Sequence, residues 1–137
     1  MPEQSGNSRK GLEAYFKNGK ISVRKDPFAV VRSAKPLPGA FANIVDRHEV
    51  TVIIEQQRIA AEDALAIEPG WRLITFDMVL PFDLTGFLAA VASSLAEAGI
   101  AIMAISSFST DHILVKDKDL SLALDRLRGL GFSVTNS

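Results

Sequence analysis

From Trp71 to Thr135, apolar runs of strand length alternate with stretches whose apolar residues recur at helical spacing. Trp71 to Phe76 and Ile100 to Ser106 are rich in Ile and aromatics, Asp111 to Lys116 holds Ile-Leu-Val, and Gly131 to Thr135 closes with Phe-Ser-Val-Thr. Each run predicts a strand. Between the first two, Leu88, Val91, Ala92, Leu95 and Ala98 share one helical face, with Asp83 or Thr85 placed to cap the first turn and Gly99 placed to end the last. Between the last two, Asp117 stands as an N-cap candidate, and Leu120, Ala123, Leu124 and Leu127 form a second stripe that stops at Gly131. The order βαββαβ predicts a ferredoxin-like unit, in which two helices cover one face of a four-stranded antiparallel sheet.

The first half reads differently. Lys20 to Arg24, Phe28 to Arg32, Ala40 to Val45 and Glu49 to Gln56 are strand candidates, separated by Asp26-Pro27, by Pro36-Leu37-Pro38-Gly39 and by Asp46-Arg47-His48. The last two strands are expected to form a hairpin. Only Leu12 to Lys17 and Ile59 to Ala66 offer short helical turns, so these strands have few helices to cover them. Glu68-Pro69-Gly70 punctuates the chain between its halves. The expected organisation is therefore a loose N-terminal segment over 1–19, a strand-rich, helix-poor unit over 20–68, and a complete βαββαβ unit over 71–135. The fold class is α+β.

Ile100-Ala101-Ile102-Met103-Ala104-Ile105 is apolar on both strand faces, and the ferredoxin-like order puts this strand at a sheet edge. An exposed apolar edge invites pairing with another edge, from the first half of the chain or from a second copy, and a homo-oligomer, most simply a dimer joined through sheet edges, is expected.

Charge and composition remove several function classes. The chain has 137 residues and a formal net charge of −1, and Trp71 to Ser137 carries five Lys and Arg against seven Asp and Glu. A nucleic-acid surface needs a basic stripe. The third strand, His112-Ile113-Leu114-Val115, also lacks the aromatic platform on which RNA-recognition modules of the same strand order stack bases. With no cysteine and with histidines only at 48 and 112, neither a thiol nucleophile nor a metal site is expected. No window reaches the roughly 20 apolar residues of a membrane helix, and Met1 to Lys20 has no apolar core of the signal-peptide kind, so a cytoplasmic protein is expected. Ser109, Thr110, Asp111 and His112 hold the residue types of a catalytic triad. Neighbours on a strand point to opposite faces, which argues against a triad and for a protein that is not an enzyme.

Two places are suited to a small ligand. The helix opening near Gly86 presents the free amides of Gly86, Phe87 and Leu88 to an anion. Gly86 would let the backbone approach closely, or would simply relieve crowding where helix meets strand. Asp111, after the hydroxyl-rich turn Ser107 to Thr110, could accept from an ammonium with help from Ser107 and the Phe108 carbonyl, or could serve its own turn by holding the amides of Ser109 and Thr110.

These strands and helices, the Asp83-Leu84-Thr85-Gly86-Phe87 helix entrance, the Leu95-Ala96-Glu97-Ala98-Gly99-Ile100 exit and the Ser106-to-Asp111 turn together resemble an ACT domain. The likeness extends over Lys20 to Val134 and is nearest to small bacterial ACT-repeat proteins related to the regulatory units of aspartate kinases and to cytosolic arginine sensors. Pro38-Gly39-Ala40-Phe41 followed by Glu49-Val50-Thr51-Val52 resembles the family's first, helix-poor module, although Glu55-Gln56-Gln57-Arg58 stands where a more apolar strand end is common. The resemblance implies binding of an amino acid or similar small molecule, without chemistry performed on it and without a cofactor, in order to regulate a protein partner. It places the ligand among Asp83, Thr85, Gly86, Phe87, Leu88, Ser107, Phe108, Thr110 and Asp111. A structural dimerisation module that takes no ligand is the alternative.

Overall fold

The computed structural model describes residues 11–136. Its backbone falls into two compact units, one formed by residues up to Arg24 together with Leu73 onward, the other by Lys25–Arg72.

In the first unit, the strands are β1 (Lys20–Val23), the second half of β5 (Ala66–Phe76), β6 (Ile102–Ser106), β7 (Asp111–Lys116) and β8 (Ser133–Asn136). Their order is β8-β1-β5-β7-β6, with β1 parallel to β8 and antiparallel to β5. Helices α2 (Phe87–Glu97) and α3 (Leu120–Leu130) occur where the apolar periodicity places them. The inward positions of the strands, Ile21, Val23, Ile74, Phe76, Ile113 and Val115, pack with Phe87, Val91, Leu95, Ala123 and Leu127 of these helices in one core. At its centre, Phe76 lies 5.2 Å from the ring of Phe87 and 5.3 Å from that of Phe132. Helix α2 stops where the Gly99 amide bonds the Ala96 carbonyl and the Ile100 amide bonds that of Leu95, the paired closure common at glycine helix ends.

The βαββαβ order is thus present, with one strand more than expected. β1 enters between the first and fourth strands of the unit, so Lys20–Val23 belongs with the C-terminal half and not with the strands that follow it in sequence. The reason is visible in its pattern: Ile21 and Val23 both point into the core that α2 and α3 cover. The segment expected to be loose also needs correction. Residues 11–18 form a helix, α1, whose Phe16 is buried against Phe87 and Phe132. The tail expected over Met1 to Arg9 lies outside the described residues.

The second unit is an antiparallel sheet ordered β3 (Ala42–Val45), β4 (Val50–Glu55), β2 (Phe28–Ser33) and the first half of β5. β3 and β4 form the expected hairpin, whose turn is held by Asp46 accepting from the amides of His48 and Glu49. A small core of Ala29, Val31, Leu37, Val52 and Ile54 is covered by loop residues Ala40, Ile59 and Ala64 instead of a long helix. Asn43 fixes the covering loop by bonding both the amide and the carbonyl of Leu37.

Glu68-Pro69-Gly70 lies just before the division between the units, which falls after Arg72, and it does not break the strand. β5 runs through it, and the register jumps from Phe28↔Trp71 to Val30↔Glu68, which leaves one extra residue on β5. This is a β-bulge, where proline's missing N–H is tolerated and where Gly70 adopts the positive φ (81°) that bulges demand. The Gly70 amide is satisfied by the side-chain oxygen of Gln56 at 2.8 Å, which gives a physical reason for a polar residue at the end of β4.

Candidate functional site

Two loops of the first unit meet beyond the ends of β5 and β7. The loop from Asp77 to Gly86 joins β5 to α2, and the turn Ser107 to Thr110 joins β6 to β7. The Leu80 amide donates to the Ser109 carbonyl at 2.7 Å, and Thr110 Oγ1 donates to the Phe76 carbonyl at 2.6 Å. Phe82 and Phe108 add an edge-to-face contact with ring centroids 4.9 Å apart. Between the loops lies an open pocket of about 310 Å³.

Its lining brings together Gly86, Phe87, Leu88, Ser107, Phe108, Thr110 and Asp111, along with Ser106 and apolar residues of the first loop. Asp83 and Thr85, the other two expected site residues, stand outside that lining and are exposed. Neither caps α2. The N-cap is Gly86, in the left-handed region at φ 83°, and no side chain caps the helix. A chain entering a helix through that conformation favours glycine over Asp or Thr, because a Cβ crowds the following carbonyl. The first intrahelical bond runs from the Ala90 amide to the Gly86 carbonyl, so the amides of the preceding turn have no intrahelical acceptor.

A Cβ built on Gly86 would stand 3.3 Å from Leu12 Cδ1 of α1. The glycine therefore answers to backbone conformation and to α1, and its side-chain direction is not that of the anion seat. α3 shows a similar shift in capping: its N-cap is Asp119 and not Asp117, since the turn Asp117–Asp119 winds first as a 3-10 helix.

Asp111 does not bond the amides of its own turn through the contacts observed. Instead it accepts from the Ser106 hydroxyl at 2.6 Å, across the paired ends of β6 and β7. The turn is closed by Ser107, whose amide and hydroxyl both donate to the Thr110 carbonyl. Among the described residues, the lining carries one carboxylate, Asp111, and neither lysine nor arginine.

Sequence reasoning missed the chain of contacts behind this turn. His112 Nε2 lies 3.1 Å from Ser107 Oγ, and His112 Nδ1 lies 2.9 Å from Thr75 Oγ1. Ser107 sits five residues from His112, a spacing that becomes a contact only once the hairpin register is known. With the Ser107 proton given to the Thr110 carbonyl, these two contacts are met by an Nε2–H imidazole that donates to Ser107 and accepts from Thr75. In that arrangement His112 cannot take the serine proton. Asp111 projects to Ser106. Burial lowers the His112 pKa, against opposing pulls from Asp111 and Asp77, while Arg24 adds to the lowering. The side chains of Thr110, Asp111 and His112 thus bond different partners.

Among the described residues, no cluster of three His, Asp or Glu side chains could hold a metal ion, and no helix is long and apolar enough to cross a membrane.

Residues 66–129 match the family model of the ACT domain. That segment runs from the start of β5 nearly to the end of α3, within an α+β fold. Several solved structures share the fold. A structural-genomics protein from Agobacterium tumefaciens superposes with a TM-score of 0.75 at 27% identity, over 87% of this chain and 93% of that one. A protein from Vibrio cholerae, described as of unknown function and a possible transport protein, gives 0.73 at 21% identity, over 90% and 98% of the two chains. The regulatory subunit of aspartate kinase from Thermus thermophilus, in its ligand-free form, gives 0.62 at 12% identity, over 82% and 96%. No curated protein matches.

Proposed function

We propose that this protein is a non-catalytic regulatory module that binds a small zwitterion, an amino acid, in the pocket between the Leu80-to-Leu88 loop and the Ser106-to-Asp111 turn. The observation that carries this reading is the joint presence in one lining of uncapped helix amides and a single carboxylate, Asp111. Amides at a helix start suit a carboxylate, and Asp111 suits an ammonium. The ACT domain and the likeness to a regulatory subunit support the regulatory part of the reading. Output would pass to a protein partner, in the cytoplasm. The test is a thermal-shift screen against the twenty amino acids. A ligand at 100 times its dissociation constant adds about 2.7 kcal/mol, a readily measured rise in melting temperature. No shift with any amino acid at millimolar concentration would sink the assignment.

A second reading has its own support. Among the described residues β6 pairs only with β7, on one of its two edges, and Ile102, Met103 and Ile105 are only partly buried. An apolar edge of this kind suits pairing with a second copy, giving a dimerisation module with or without a ligand.

A further inference from the structure

The pocket's apolar rim remains unused by a reading that concerns only the ligand's charged ends. Phe82 and Phe108 are 78% and 81% exposed, far more than large aromatics usually tolerate, yet they are held against each other at 86° between planes. They come from different loops, and both line the pocket. An edge-to-face pair fixed in this way is preorganised: little further ordering is needed when a third apolar group joins it.

We propose that Phe82 and Phe108 form the side-chain subsite of this pocket and select amino acids with an apolar side chain, of the size of leucine or phenylalanine. The inference rests on the amino-acid reading above. Three observations carry it further than that reading. Among the described residues the lining offers no lysine or arginine, so an acidic side chain finds no partner there. Its one carboxylate is committed to the ammonium, so a basic side chain finds no second acid; Asp83, the nearest candidate in sequence, is outside the lining. The hydroxyls of Ser106, Ser107 and Thr110 and the Asp111 carboxylate stand on the turn side of the lining, while Leu80, Leu84 and Leu88 continue the apolar surface that the two rings begin. A pocket of about 310 Å³ is at the small end of the range for ligand sites, and suits one amino acid better than a dipeptide or nucleotide.

The experiment is calorimetric titration of the whole protein with leucine, phenylalanine, glycine, aspartate and lysine, repeated on Phe82→Ala and Phe108→Ala. Leucine or phenylalanine is expected to bind at least about tenfold tighter than the other three, the scale that one buried methylene or more gives in an apolar pocket. Each alanine variant should weaken the favoured ligand by about fivefold or more and leave glycine within about twofold. Both rings are exposed, so the variants should stay folded, which circular dichroism checks. Equal binding of all five amino acids, unaffected by either variant, overturns the side-chain subsite while leaving the amino-acid reading standing. No binding of any of them removes both. If the variants change the sedimentation coefficient and not the affinities, the rings belong to an interface with another copy, and the proposal is wrong.

Discussion

Ser106 and Asp111 are register partners at the mouth of the β6–β7 hairpin, and the serine hydroxyl donates to the carboxylate at 2.6 Å. This bond holds the pocket's one carboxylate in place on the rim of the turn. Replacing Asp111 by Ala should weaken an amino-acid ligand by about 1.5–3 kcal/mol, the scale of a lost charge-assisted hydrogen bond. Folding should be nearly unchanged, since both residues are at least partly exposed. Calorimetry beside thermal unfolding checks the two halves of this statement.

Gly86→Val should act on stability before it acts on the ligand. Its φ of 83° costs a non-glycine residue about 1–2 kcal/mol, and its Cβ would meet Leu12. A melting temperature lowered by several degrees is expected, and trimming Leu12 to Ala should not restore it, because the backbone strain persists. Full rescue by that trimming would show that crowding, and not φ, fixes the glycine.

For His112 the sign follows from burial. Its folded pKa lies below the ordinary 6.5, so the unfolded chain binds the proton more readily. The contribution is present in full above the unfolded value and is lost as pH falls through the folded one. Denaturant midpoints should therefore fall between pH 7.5 and 5, and His112→Gln should flatten part of that fall. An imidazole titration followed by NMR that centres above 6.5 would contradict the burial argument.

Edge pairing can be tested with one residue. Ile102 packs against the helix-covered core, whereas Met103, next along β6, points to the other face. Lysine at Met103 should convert a dimer to monomer in sedimentation velocity without unfolding it; lysine at Ile102 should unfold it. A parent protein that already sediments as a monomer would remove the basis for the edge argument.

Helix α2, helix α3 and the strands around them were legible because their apolar spacing and glycine stops agree, so local and tertiary preference coincide. Seven of the nine expected site residues line one pocket for the same reason: a loop and a turn at neighbouring strand ends are brought together by the topology. What failed was local punctuation. Glu68-Pro69-Gly70 has the composition of a linker, and only the pairing register reveals it as a bulge within β5. Asp83 and Thr85 have the chemistry of caps, yet the chain enters α2 through a conformation that neither favours. The placement of β1 could not be read from spacing, because Ile21 and Val23 would suit either core.

Ser133 donates its hydroxyl to the Gly19 carbonyl from a position 114 residues later, and β1 and β8 lie parallel beside it. During synthesis, then, one of the earliest strands must wait unpaired on that side while the whole Lys25–Arg72 unit and both long helices leave the ribosome. Truncation just before Ser133 would leave β1 as a bare edge. A fragment cut to the span of the family match, residues 66–129, would lose both neighbouring strands, and should be expected to associate or degrade instead of folding alone.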